Sequence, residues 1–562
     1  MKFPIRLFQV ALVACLFSSC IFDNTKEAEV DTPEELWPST YNDSAEVAAN
    51  ADHPFGRMRY KLIQSKVQDR DAIFKGFYQE VMAFSDARYE ELRPLVLEQS
   101  IPAIQASVKS GAFTYEELVL FYLKRIYRYE LNPETTLYTI MALNPKVLEE
   151  ARALKANADG EHPVYGMPIL LKDNIGTQEM KTTAGAIALM ENQTEDAFIV
   201  EQLKKKGALI LGKVNLSEWA YFMCTGCPVG YSAVGGQTLN PYGRKIFESG
   251  GSSSGSGTSM AANYAVAAVG TETSGSILSP SSQNSVVGMK PTIGLLSRTG
   301  IVPISSTLDT PGPMTRSVID NAIVMDAMRG FDIGDDDSVK ADWPAGWYQT
   351  TEADAVKGKR LGVFNQLVER DSVYKATVEK LERAGAKIIP MDSPEIGLPG
   401  FITLLNIDMK VDLVSYLSTM PKDTEAVKVR SVADVVEFNL QDTLTRVPYG
   451  MQLLEGIVAD TTSQESLEAI KKQLQTNGRL YFNQLMNENQ LDAVLSLNNA
   501  HAGFAAVAKY PALTIPMGYT AEGEPRSLTL IGKQFQEGKL YRLGAPIESL
   551  LQARKTPEGY TD

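Results

Sequence analysis

Apolar residues recur at three- and four-residue steps over Asp69–Gln99, a spacing that predicts helix. Thr114 and Glu117 form a capping-box pair that predicts a helix start, with the helix running through Leu118–Tyr129. Pro145–Ala156 and Phe198–Lys206 read as further helices, and the short apolar runs Tyr165–Leu171 and Ala208–Leu211 as buried strands. Later, Arg360–Phe364, Ser372–Ala384 and Lys387–Pro390 alternate as strand, helix and strand, an open βαβ unit. Residues 400–485 are mostly helical in pattern, and Asp492–Leu497 and Ala512–Pro516 read as late strands. No repeat is visible, and no stretch after residue 70 has the composition of a linker. The pattern predicts one large α/β domain with a mixed sheet buried by helices. One stretch stands out. Gly250–Thr292 is dense in Gly and Ser, yet its middle, Met260–Val269, is small and apolar, and predicts a buried helix between two hydroxyl-rich loops.

The N-terminus reads as a targeting segment. Lys2 and Arg6 precede the apolar run Phe8–Phe17, which is too short to span a bilayer as a mature helix. Small residues then lead to Cys20, so residues 1–19 resemble a bacterial lipoprotein signal with Cys20 as the lipidated residue, although Phe17 departs from the usual small or aliphatic residue. Residues 20–68 are expected to be an acidic tether, and residues 69–562 the folded domain. That reading places the protein in a bacterial cell envelope, exported, on the periplasmic side or at the outer membrane, touching membrane only through the lipid. The chain of 562 residues carries a net charge of −14, which argues against a nucleic-acid partner. Cys224 and Cys227 are half a zinc site at most, so no metal is expected; a small disulfide and two buried thiols both remain open. Asp335, Asp336 and Asp337 lack the spacing of a calcium loop and are expected to form a solvated turn.

Three hydrolase patterns overlap in the Gly/Ser stretch. Gly251–Gly255 fits the nucleophile elbow around Ser253, but the residues before it are polar where a strand is required. Gly257–Ala262 copies the nucleophile segment of subtilisin-like proteases around Ser259, yet His53, His162 and His501 are each followed by the wrong residue. With only three histidines, a hydrolytic serine needs another base, and a desolvated lysine serves because burial favours its neutral form. Lys172, at the end of an apolar strand, is the candidate.

Gly166–Asn174, Gly250–Gly257 and Gly270–Pro280 together resemble the amidase signature family. Asn215–Trp219, Gly235–Pro241, Asp309–Arg316 and the PALTIPMG segment extend the likeness over roughly residues 95–550, with the signature core at about 160–320. The resemblance implies an amidase domain built on a central mixed, twisted β-sheet with helices on both faces, and no metal or organic cofactor. It implies hydrolysis of a linear carboxamide to a carboxylate plus ammonia or an amine through an acyl-serine. The family's Ser–cis-Ser–Lys triad falls on Ser276, Ser252 and Lys172, with the peptide bond before Ser252 expected to be cis. Backbone N–H groups of Thr273, Ser274, Gly275 and Ser276 are the implied oxyanion hole, such donors contributing about 3–4 kcal/mol each.

Two departures refine the likeness. The family commonly has Gly-Gly-Ser at the nucleophile; here Ser274 takes the first place, which requires a φ that a Cβ tolerates. Leu278 stands where many members carry Arg, which argues against the amidotransferase subunits that form Gln-tRNA. The Thr271–Thr273 run looks like the peptide-amidase branch, so the partner expected is a small-molecule or peptide amide. Phe222, Met223 and Cys224, with residues 400–460, are expected to read the substrate side chain. The rival readings are a tethered binding lipoprotein without catalysis and a serine hydrolase of esters or fatty amides.

Overall fold

The computed structural model describes residue 1 and residues 32–156, 161–340, 346–349 and 356–562. All but the first residue of the expected signal segment, and Cys20, lie outside them. Thirteen strands occur among the described residues: β1 Ile140–Leu143, β2 Pro168–Lys172, β3 Leu209–Val214, β4 Tyr231–Ser232, β5 Gly236–Gln237, β6 Ala267–Glu272, β7 Val287–Lys290, β8 Thr310–Thr315, β9 Arg360–Phe364, β10 Lys387–Met391, β11 Ala493–Leu497, β12 Ala512–Tyr519 and β13 Pro525–Ile531. Eleven of them form one mixed sheet in the order β1-β3-β2-β6-β8-β7-β12-β13-β11-β9-β10. β2 runs parallel to both β3 and β6, and β9 parallel to both β10 and β11; the remaining pairings are antiparallel. The α/β expectation holds, including the βαβ unit of β9, helix Ser372–Arg383 and β10. The helix Tyr115–Glu130 begins with the expected capping box at Thr114 and Glu117.

Sequence pattern and structure part company in three places. The expected helix over Asp69–Gln99 is broken into Arg70–Phe74, Tyr78–Ala83 and Asp86–Val96, with Asp69 capping the first piece and Ser85 the last. Met260–Val269 is not one helix. The buried helix is the Gly/Ser run itself, Ser254–Ala261, and the apolar residues after it form β6. A strand buried on both faces reads as a continuous apolar run and mimics a buried helix. The tether fails over its described part, because Trp37, Met58, Tyr60 and Ile63 are buried in the core. Asp43 accepts the N–H groups of Ile63 and Gln64 at 2.8 Å each, and the Gln237 N–H donates to the Ile63 carbonyl at 2.8 Å. A few isolated large apolar anchors are enough to dock a segment that is polar on average.

Glycine is required in the helix Ser254–Ala261 for packing. A Cβ on Gly255 would lie 2.5 Å from the backbone O of Asn215 and 2.6 Å from its N. Both obstacles are backbone, so relief means moving this helix away from the residue that follows β3. Gly255→Ala is expected to destabilise the protein by about 1–3 kcal/mol, read as a lower melting temperature and reduced activity in parallel. A variant melting with the wild type would refute this contact.

Candidate active site

β2 and β6 are parallel neighbours, and the site forms beyond their carboxyl ends, where open α/β sheets place their crevices. β2 reads Pro-Ile-Leu-Leu-Lys and is buried throughout, so it delivers Lys172 into the interior at 0 % exposure. The Lys172 Nζ lies 2.8 Å from Ser252 Oγ, 2.8 Å from Thr271 Oγ1 and 3.1 Å from the Thr271 carbonyl. Asn174 Nδ2 donates to the same Thr271 hydroxyl at 3.1 Å. Burial pushes the Lys172 ammonium down to about 7, against the pull of Asp309 and Glu272. A neutral amine with two N–H groups and one lone pair suits these three neighbours.

Ser252 is held in place through the backbone on either side of its side chain. The Gly251–Ser252 peptide bond is cis. The Ser217 N–H donates to the Ser252 carbonyl at 3.0 Å, and the Ser253 N–H donates to the Ser276 carbonyl at 3.1 Å. The second bond ties the two hydroxyl-rich loops together directly beside Ser252. A Cβ on Gly250 would lie 2.7 Å from Pro280 Cα, so these loops meet at backbone distance. Most other serines here have structural work. Ser253 Oγ donates to the Thr271 carbonyl at 3.0 Å, Ser256 Oγ to that of Val269 at 3.1 Å and Ser259 Oγ to that of Ser256 at 3.1 Å. All three are fully buried. Their hydroxyls satisfy polar backbone in the interior, which removes Ser253 and Ser259 as nucleophile candidates. His501 is also spoken for: it bonds Ser496 Oγ at 2.7 Å and stacks on Phe364.

Ser276 is 9 % exposed and follows Gly275, whose φ is +86°. Ser274 is not among the residues of positive φ, so serine is tolerated there without left-handed backbone. The Glu272 carboxylate lies under this loop and accepts the N–H groups of Ile277 at 2.7 Å and Leu278 at 2.9 Å. The Thr273 hydroxyl donates to Asp309 Oδ1 at 2.5 Å, and Asp309 Oδ2 accepts from Ile304 and Ser305 N–H at 2.8 and 2.9 Å. Asp309 stands in the sequence only as part of a motif; pattern alone does not show that it anchors the Thr273 side chain.

A small cavity beside the lysine is lined by Asn174, Ala220, Thr271, Thr273, Val302 and Asp309, among others. Ala220 stands there because Trp219, Ala220 and Tyr221 all take positive φ, at 51°, 53° and 74°. No sequence signal marks three successive non-glycine residues for left-handed backbone. Phe222, Met223 and Cys224 lie next to that turn, buried in a second apolar cluster with Leu404, Leu413, Val432 and Leu454. The Met223 carbonyl accepts the Leu453 N–H at 3.1 Å. Cys224 and Cys227 are joined as a disulfide. The acidic turn is not simply solvated, since Asp335 is buried and holds Arg298 through its side chain and backbone N–H.

The family model for amidases matches residues 117–505. This chain therefore belongs to the amidase signature family and is a hydrolase acting on amides. A probable amidase of Arabidopsis thaliana is 35% identical over 487 residues, covering 82% of this chain and 92% of that protein. The crystal structure of an amidase family protein from Bacillus anthracis str. Ames superposes with a TM-score of 0.83 at 34% identity, covering 88% of this chain and all of that one, 100%. The native peptide amidase of Stenotrophomonas maltophilia does so with a TM-score of 0.76 at 34% identity, covering 82% and 99% of the two chains.

Proposed function

We propose that the protein hydrolyses linear carboxamides at Ser276, with amidated peptide C-termini in its substrate range. The observation that carries the reading is the buried Lys172–Ser252 contact of 2.8 Å next to the loop that holds Ser276. In this mechanism neutral Lys172 takes the Ser252 proton while Ser252 takes that of Ser276. Ser276 Oγ then bonds the amide carbon, and the carbonyl electrons move to oxygen. N–H groups of the Thr273–Ser276 loop receive that oxyanion. The proton returns from Lys172 through Ser252 to the departing nitrogen, the C–N bond breaks, and ammonia or an amine leaves. Water, deprotonated along the same path, releases the carboxylate and restores Ser276. The 34% identity to a peptide amidase supports the peptide-amide range. Substrate side chains would be read near Ala220, with Phe222, Met223 and Cys224 contributing from the adjoining turn.

The test is ammonia release from matched sets of peptide C-terminal amides, aliphatic amides, aromatic amides and fatty amides. Peptide amides are expected to give the highest kcat/KM. Preference for fatty amides or esters would overturn the peptide assignment. Tight binding without turnover of any set would favour the non-catalytic reading.

A further inference from the structure

Lys290 is a second buried lysine that the mechanism above leaves without a task. It ends β7 at 0 % exposure, and its Nζ donates to the Pro291 carbonyl at 2.8 Å. β8 lies between β7 and β6 in the sheet. Gly288 of β7 and Ala268 of β6 both pair with Met314, while Gly270 pairs with Gly312 and Glu272 with Thr310. Directly opposed residues share a face, and so do residues two apart. Lys290 and Glu272 therefore lie on one face, with Gly312 between their strands. Gly312 adds no side chain there, and a Cβ on it would lie 2.9 Å from Ile277 Cδ1. Ile277 is the residue after the proposed nucleophile, and its N–H is held by Glu272.

Glu272 poses an electrostatic difficulty. It is 1 % exposed, and its Oε1 has no side-chain hydrogen-bond partner among the described residues. A carboxylate beneath an oxyanion hole opposes the negative charge that must form above it, and low dielectric strengthens the opposition. A second buried carboxylate, Glu537, accepts the Thr292 N–H at 2.7 Å near the end of β7. Burial pushes both glutamates up and Lys290 down to about 8, with Lys290 and the two carboxylates pulling the other way.

Building on the amidase mechanism at Ser276, we propose that Lys290 is a positioning residue for hydrolysis: its ammonium balances the Glu272 carboxylate, so the Thr273–Ser276 loop meets the developing oxyanion as a set of donors. Lys290 touches no substrate and acts through Glu272.

The experiment is a kinetic cycle on the full chain, using a peptide amide from which the wild type releases ammonia. Lys290→Met is expected to lower kcat about 100-fold, as loss of an oxyanion donor does, with KM within about threefold because the ground state is spared. Lys290→Arg is expected to recover most of the loss. Glu272→Gln and the double variant Glu272→Gln/Lys290→Met are expected to share one kcat, since no carboxylate then needs balancing. Wild-type kcat in folded Lys290→Met overturns the proposal, and so does a double variant whose losses multiply. If Lys290→Met does not fold, the comparison of Glu272→Gln with the double variant decides by the same criterion. A wild type that releases no ammonia, or a Ser276→Ala that still does, defeats the amidase mechanism instead.

Discussion

Ser276→Ala is expected to abolish ammonia release, lowering kcat by about 10,000-fold or more, as removal of a nucleophile from a cooperating set does. The fold should survive. The loop that carries Ser276 is held through the Glu272 carboxylate and the Ser276 carbonyl, not through the hydroxyl. An activated ester should acylate the wild type at Ser276 and leave the variant unlabelled, as intact mass would show. Substantial turnover in folded Ser276→Ala would end the nucleophile assignment.

Lys172→Met is expected to cost activity on a similar scale while leaving the protein at least as stable. The two effects share a cause. Burial lowers the Lys172 pKa from 10.5 to about 7. Above about 7 the folded lysine is neutral and can accept the serine proton; below it the base is lost, so kcat/KM should fall on an acid limb with a midpoint near 7. A profile flat down to pH 5 would exclude Lys172 as base. For stability the sign is opposite. Between about 7 and 10.5 the unfolded chain binds a proton that the folded chain rejects, so stability falls as pH drops through that window and stays reduced below it. Methionine removes that penalty, and melting at pH 7 should be no lower than for the wild type. A large loss of melting temperature would show the ammonium to be a structural ion, not a neutral base. Sites that hold a strained or desolvated group for catalysis commonly trade stability in this way.

Much of the chemistry was legible along the chain. Scarcity of histidine leaves lysine as the available base, and the apolar run ending at Lys172 marks where a lysine is dry. Glycine and serine density marked two loops that approach closely, and the bond from Ser253 to the Ser276 carbonyl is that approach. Period and composition misled where burial was complete. β6 and the helix before it carry no amphipathic signal because no face of either meets water. The stretch before residue 69 reads as free because its mean composition is polar, yet Trp37 and Ile63 fix it to the body.

Sequence by itself determined the fold class, the capped helix at Thr114, the family motifs and the identity of the three candidate reactive groups. Each of these depends on residue type and local spacing. Tertiary structure alone decided which hydroxyls are occupied by backbone, that Asp309 anchors Thr273, that the Trp219–Tyr221 turn is left-handed, and that Lys290 and Glu272 share a face of the sheet. Those facts depend on strand register and on contacts between residues far apart in the chain, where charge and hydrogen bonding act through space and local pattern carries no record of the partner.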